Sequence, residues 1–123
     1  EEETTELWNA AFHGKTDQVT RLLEDGADIH ETNLWDDATA LHGAAERGKR
    51  ANVQLLLDKG ADMRLQTTSG DTPLYLASKR GHVSVVQLFL DRGADNNLQT
   101  KRGYSPLHRA SKRGHVSVVQ LLL

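Results

Sequence analysis

Six histidines, His13, His30, His42, His82, His108 and His115, are the side chains best suited to chemistry in this 123-residue chain. An imidazole titrates near neutral pH, so it can act as a general base or bind a metal. Either role needs several such groups in one place. Instead they recur along the chain: His42 and His108 each follow a Leu, and His82 and His115 each follow a Gly. Residues that recur at equal intervals are spread through space. Successive packed helices stand about 10 Å apart, and a metal holds imidazole nitrogen at about 2.0–2.1 Å. Most of the histidines are therefore expected to be structural. There is no Cys, which excludes disulfides and thiolate metal sites. No Ser or Thr stands with a base in a recognisable nucleophile arrangement, and neither G-x-x-x-x-G-K-[ST] nor G-x-G-x-x-G occurs. No catalytic residue, cofactor or metal ligand is expected, and the chain reads as non-enzymatic.

The elements that position these residues follow from an internal repeat. Gly14, Gly48, Gly81 and Gly114 are spaced by 34, 33 and 33 residues, and Gly26, Gly60 and Gly93 each lie twelve residues after a lead glycine. Gly-Ala-Asp recurs at 26–28, 60–62 and 93–95, and residues 78–88 and 111–121 are the same eleven letters, SKRGHVSVVQL. Each unit has a helix-turn-helix logic. Thr39, Thr72 or Ser105 can cap a first helix, and Pro73 or Pro106 suits its first turn. Leu74 and Ala77, like Leu107 and Ala110, share one helical face. Gly81 and Gly114 supply the positive φ that ends the first helix. Val85, Val86, Leu88, Phe89 and Leu90 form the apolar side of a second helix that stops at Gly93. A polar stretch containing Gly70 or Gly103 leads to the next unit. No unit buries its apolar face alone, so the units must stack.

The pattern resembles the ankyrin repeat family, whose motif reads roughly D-x-x-G-x-T-P-L-H-x-A-A-x-x-G-H-x-x-V-V-x-L-L-L-x-x-G-A-D-x-N. The resemblance covers residues 4–123 and implies an all-α solenoid of stacked helix-turn-helix units joined by β-hairpin-like fingers. Residues 1–123 form a single domain in this reading, with repeats at about 4–33, 34–66, 67–99 and 100–123. The first repeat is expected to be an N-terminal cap, because Gln18 and Arg21 stand where later units have Val85 and Leu88. The last is expected to be incomplete at its C-terminus, so that the monomer could self-associate through an uncapped repeat. The resemblance also implies that the Thr-Pro-Leu-His histidine ties one repeat to the next. Ser78 and Ser111 replace the motif's second alanine and are expected to bond back to the helix. Asp37 stands where the finger glycine belongs, in a finger one residue longer than the others.

Such stacks act mainly as protein-binding scaffolds, using finger tips and the exposed side of the first helix. Those motif positions place Asn9, Phe12 and His13 on the surface in unit one. Unit two adds Trp35, Asp36, Ala38, Glu46 and Arg47. Unit three adds Thr68, Ser69, Asp71, Lys79 and Arg80, and unit four adds Lys101, Arg102, Tyr104, Lys112 and Arg113. Exposed Trp and Tyr bury much area at low entropy cost. Trp35, beside Leu34, either projects as an anchor or folds back over the neighbouring helix. Lys79, Arg80, Lys101, Arg102, Lys112 and Arg113 are expected to form a basic stripe with only Asp71 nearby, suited to an acidic peptide segment.

Charge and composition narrow the classes. The formal net charge is −2. Residues 1–33 carry nine acids against Lys15 and Arg21, whereas residues 100–123 carry five cations and no acid. A pI near 6.3 and the acidic first unit argue against nucleic acid or anionic lipid as the main ligand, which stays as an alternative alongside a spacer role in a longer array. No apolar run approaches the roughly 18 residues of a membrane span. The Cys-free composition suits an intracellular, cytoplasmic or nuclear setting.

Overall fold

A computed structural model describes residues 4–123. Eight helices follow one another as α1 (Glu6–Phe12), α2 (Thr16–Glu24), α3 (Ala40–Glu46), α4 (Arg50–Asp58), α5 (Pro73–Arg80), α6 (Val83–Asp91), α7 (Pro106–Lys112) and α8 (Val116–Leu122). They form four hairpins in two layers: α1, α3, α5 and α7 stack on one another, and so do α2, α4, α6 and α8. The chain is all-α, as its sequence implies.

Local chemistry explains each start and stop. The first helices open on hydroxyl caps, with Thr5, Thr39, Thr72 and Ser105 accepting from the N–H of Trp8, His42, Tyr75 and His108. A cap of this kind contributes about 1 kcal/mol. Gly81 ends α5 at a φ of 77°. It also receives the imidazole of His115 from the next unit, where an added Cβ would fall 2.7 Å from Nδ1. Gly48 receives His82 in the same way, at 2.6 Å. Those histidines complete the tie by donating from Nε2 to backbone oxygens of the preceding unit, His82 to Glu46 at 2.8 Å and His115 to Lys79 at 2.9 Å. The glycine is thus both a helix stop and a seat for its neighbour.

The core is continuous along the stack. Ala10, Ala11, Ala44, Ala45, Ala77 and Ala110 keep the first helices close, while Val19, Val53, Leu56, Val85, Val86, Phe89 and Val118 fill the second layer. Burying a side chain such as Phe89, which is fully enclosed, contributes roughly 2–3 kcal/mol. Asn52 sits among these positions, fully buried, and donates to the carbonyl of Ala11 at 3.1 Å. The two serines differ from expectation. Ser78 is buried, but its hydroxyl bonds to no protein atom, and Ser111 is exposed. Ser78 stands at the motif's alanine position, wholly buried, with no partner for its hydroxyl.

The fingers are tight turns, and no β-strand occurs among the described residues. Each is closed by a backbone bond, Asn33 N to Ala38 O, Thr67 N to Asp71 O and Thr100 N to Tyr104 O, all 2.9 Å, and the later two add Gly70 N to Thr67 O and Gly103 N to Thr100 O at 2.8 Å. Successive fingers are joined the same way, Thr68 N to Asp36 O at 2.7 Å and Lys101 N to Ser69 O at 3.0 Å.

Candidate partner-binding surface

Most of the residues picked from sequence fall into two groups, with Arg80, Lys112 and Arg113 outside both. The first surrounds the finger at 33–38. Asn33, almost wholly buried, replaces the threonine of the later fingers, and its Oδ1 accepts from the N–H of Trp35, Asp36 and Ala38 at 3.2, 3.1 and 3.3 Å. That side chain supports the extra residue from inside. Asp37 takes the glycine conformation, at a φ of 61°, the only non-glycine to do so among the described residues. The result lifts Leu34 and Trp35 outward, 76% and 62% exposed. Trp35 nonetheless touches the helix below it, edge-on to Trp8 with ring centroids 6.3 Å apart. Trp8 is 9% exposed and stacks on Phe12 at 4.6 Å. Trp8 packs against Gly43, where a Cβ would come within 3.1 Å of the indole. Phe12 meets His13 edge-on at 5.2 Å and carries the Arg47 guanidinium 4.6 Å above its centroid. The finger therefore neither folds back nor stands free: its indole is exposed and braced. Asp36 is exposed beside it and Asn9 half-buried, whereas Ala38, expected on the surface, is buried as the closing residue of the finger.

The second group lies between the fingers at 67–71 and 100–104. A cavity of about 350 Å³ opens there, and Asp71, Lys79, Lys101, Arg102 and Tyr104 line it with Thr68, Ser69 and Thr100. Tyr75 and Arg109 also line it, and sequence reasoning passed over both. Tyr75 occupies the slot of His42, which invited a structural reading, and Arg109 follows His108 in a segment read only as helix. The Arg109 Nε donates to the Tyr75 hydroxyl at 2.9 Å, and its guanidinium lies 4.9 Å from the Tyr104 ring centroid. Tyr104 in turn stacks on His108 at 4.5 Å. Burial pushes the Asp71 carboxyl above its ordinary pKa, against the pull of Lys79 and Arg109.

The basic stripe is broken in one place. Arg80 pairs with Glu46 of the preceding unit at 2.9 Å, so the cation expected free is neutralised. Helix side chains reach across one repeat, and the acid at 46 has no counterpart at the equivalent Lys79. Lys112 and Arg113 are exposed at the end of α7. Four of the six imidazoles, His30, His42, His82 and His115, tie one unit to the next. His42 accepts from Thr39 N at Nδ1 and donates from Nε2 to Leu65 O at 2.9 Å and Asp71 O at 3.1 Å, tying its unit to the next finger. Burial holds the pKa of His42 below its ordinary value. His30 joins the tie lower in the stack, accepting from Asp62 N at 3.1 Å. His108, in the same slot as His42, is exposed and makes only the tyrosine stack.

Four stacked helix hairpins with fingers along one edge define a helical-repeat protein, in which a continuous face takes the place of a cleft. A family model of ankyrin repeats in three copies matches residues 7–100 and 41–123, and the chain belongs to the ankyrin repeat family. Members are in general protein–protein interaction modules, typically non-enzymatic scaffolds. No curated protein sequence matches this chain. Among the described residues no helix is long and apolar enough to cross a membrane.

Proposed function

We infer that the chain binds an intracellular protein partner through the fingers and the outer sides of α1, α3, α5 and α7. The observation that carries this reading is Trp35, 62% exposed yet held edge-on by a buried Trp8. A large aromatic fixed in place but open to water loses little entropy when covered, which is the profile of a binding anchor. The partner's apolar side chain packs against Trp35 and Leu34, and its acidic segment runs along Lys101, Arg102, Lys112 and Arg113. Electrostatic attraction of that kind speeds encounter and weakens with salt.

The test is a comparative capture from cell lysate. The wild type is set beside a variant carrying Trp35→Ala, Arg102→Glu and Arg113→Glu. A protein enriched by the wild type and lost by the variant, with both melting alike, supports the reading. Identical recovery by both would leave the chain as a spacer between other segments.

A further inference from the structure

The cavity between the second and third fingers has more cationic groups than a carboxylate needs. Four cations, Lys79, Lys101, Arg102 and Arg109, face one acid, Asp71, which leaves a surplus of three positive charges. Hydroxyl groups of Thr68, Ser69 and Thr100 line the same space. The Tyr75 hydroxyl accepts from Arg109, so its own proton is available to donate. Arg109 itself is fixed from two sides, by that bond and by the Tyr104 ring.

This supply of donors matches one chemical group in particular. A carboxylate carries one charge and is satisfied by a single guanidinium. A phosphoryl ester carries about −1.5 to −2 at pH 7 and three acceptor oxygens. A volume of about 350 Å³ holds a phosphorylated side chain with room to spare, whereas a lone carboxylate would leave the cations on the far wall unmatched. The cavity is also rigidly framed. The Cα of Gly70 rests so near the next finger that an added Cβ would fall 2.7 Å from Lys101 N, and the Lys101 N–H donates to Ser69 O. The finger backbone that carries the donors, and the Arg109 guanidinium, are in place before any ligand arrives, which lowers the entropy cost of binding.

We propose that this cavity seats the phosphoryl group of a phosphorylated side chain on an extended peptide. The proposal rests on the protein-binding reading above and specifies what the partner presents to fingers two and three. Phosphorylation of the partner then controls the complex.

The experiment measures binding of oriented peptide libraries with a central phosphoserine, phosphothreonine or phosphotyrosine, and of the same libraries with glutamate or serine there. Wild-type chain is compared with Arg109→Gln and with Lys101→Gln, which keeps the Arg109–Tyr75 bond. At least one phosphorylated library is expected to bind about tenfold or more tighter than both controls, the scale of a charge-assisted hydrogen bond. Both variants are expected to lose that preference, and Lys101→Gln to do so while melting as the wild type does. Equal binding of phosphorylated and glutamate libraries overturns the phosphoryl seat and leaves the acidic-segment reading intact. No library binding, with Trp35-dependent capture from lysate retained, also overturns the seat alone. Loss of both overturns the two together. Arg109-dependent binding to phosphoinositide vesicles, with no peptide binding, would make the surface a lipid site and overturn the proposal.

Discussion

The first finger and the two that follow do the same job with opposite solutions. At 33–38 the finger is longer, is held from inside by one buried asparagine, and turns on a strained aspartate. It raises two apolar residues into solvent. At 67–71 and 100–104 the fingers are shorter and turn on glycines, and Gly70 lets the second finger's Cα approach the backbone of the third. They enclose a polar, cationic cavity. One end of the face thus offers area and the other offers charge.

Gly70→Ala is the strongest way to break the second arrangement. Its φ of 85° strains any L side chain, and the new Cβ would meet backbone, Lys101 N at 2.7 Å and Thr100 C at 3.1 Å. Gly103 has a nearly equal φ of 83°, but an added Cβ there meets only the Gln99 Oε1 at 3.9 Å. Gly103→Ala should cost about 1 kcal/mol from conformation alone. Gly70→Ala should cost about 3 kcal/mol, because the finger contact is lost as well. Denaturant unfolding of both variants measures the gap. Equal losses would mean that the close approach of the fingers contributes nothing.

Acidification probes the tie between the second helix pair and the second finger. His42 is buried neutral with its pKa held down, so the unfolded chain binds the proton more readily. The contribution is fully present above the unfolded value of about 6.5 and is lost as pH falls through and below it. Asp71 runs the other way. Its carboxyl pKa is raised, so the folded state takes up a proton first and gains stability as pH falls toward the unfolded value, in a lower window. Chemical denaturation from pH 7.5 to 5 should therefore show falling stability. A His42→Gln chain should start weaker and vary less. A wild-type profile flat across that interval would count against any role for His42 in pH sensitivity. The third unit has Tyr75 in the same slot, and its hydroxyl meets Arg109 instead.

Most of the fold was legible because each repeat states it again. Hydroxyl caps, the glycines at 81 and 114, and the alanines on one face are local signals, and each does in the structure what its type implies. The site was less legible because its contacts lie between repeats. Arg80 meets Glu46 thirty-four residues earlier, and Arg109 meets Tyr75 at the same separation. Neither pairing follows from the letters within one unit. A motif also hides its own exceptions: Tyr75 stood in a slot read as structural, and it lines the cavity. Whether Trp35 projects or folds back could not follow from sequence either. Its surroundings are set by the Asn33 side chain filling the turn and by Trp8 packing against Gly43 in the next unit.

The smallest effect concerns Asp37, where the first finger departs from the others. A non-glycine residue at a φ of 61° costs about 1 kcal/mol relative to glycine, less for aspartate than for most because its short side chain tolerates this region. Its side chain returns little, a long contact of 3.4 Å from the Thr68 hydroxyl at an exposed site. Asp37→Gly should then stabilise the chain by about 0.5 kcal/mol and make the first finger turn as the later ones do. Glycine also loosens the unfolded chain, which offsets part of the gain. The informative companion is Asn33→Thr, which restores the residue of the later fingers but removes the acceptor that serves three N–H groups. It should destabilise by about 1–3 kcal/mol, since a buried donor loses its partner. If Asp37→Gly stabilises while Trp35 fluorescence is unchanged, the aspartate is strain and the asparagine alone holds the apolar tip. If Asp37→Gly shifts the fluorescence and weakens partner capture, the strained residue is what aims Trp35.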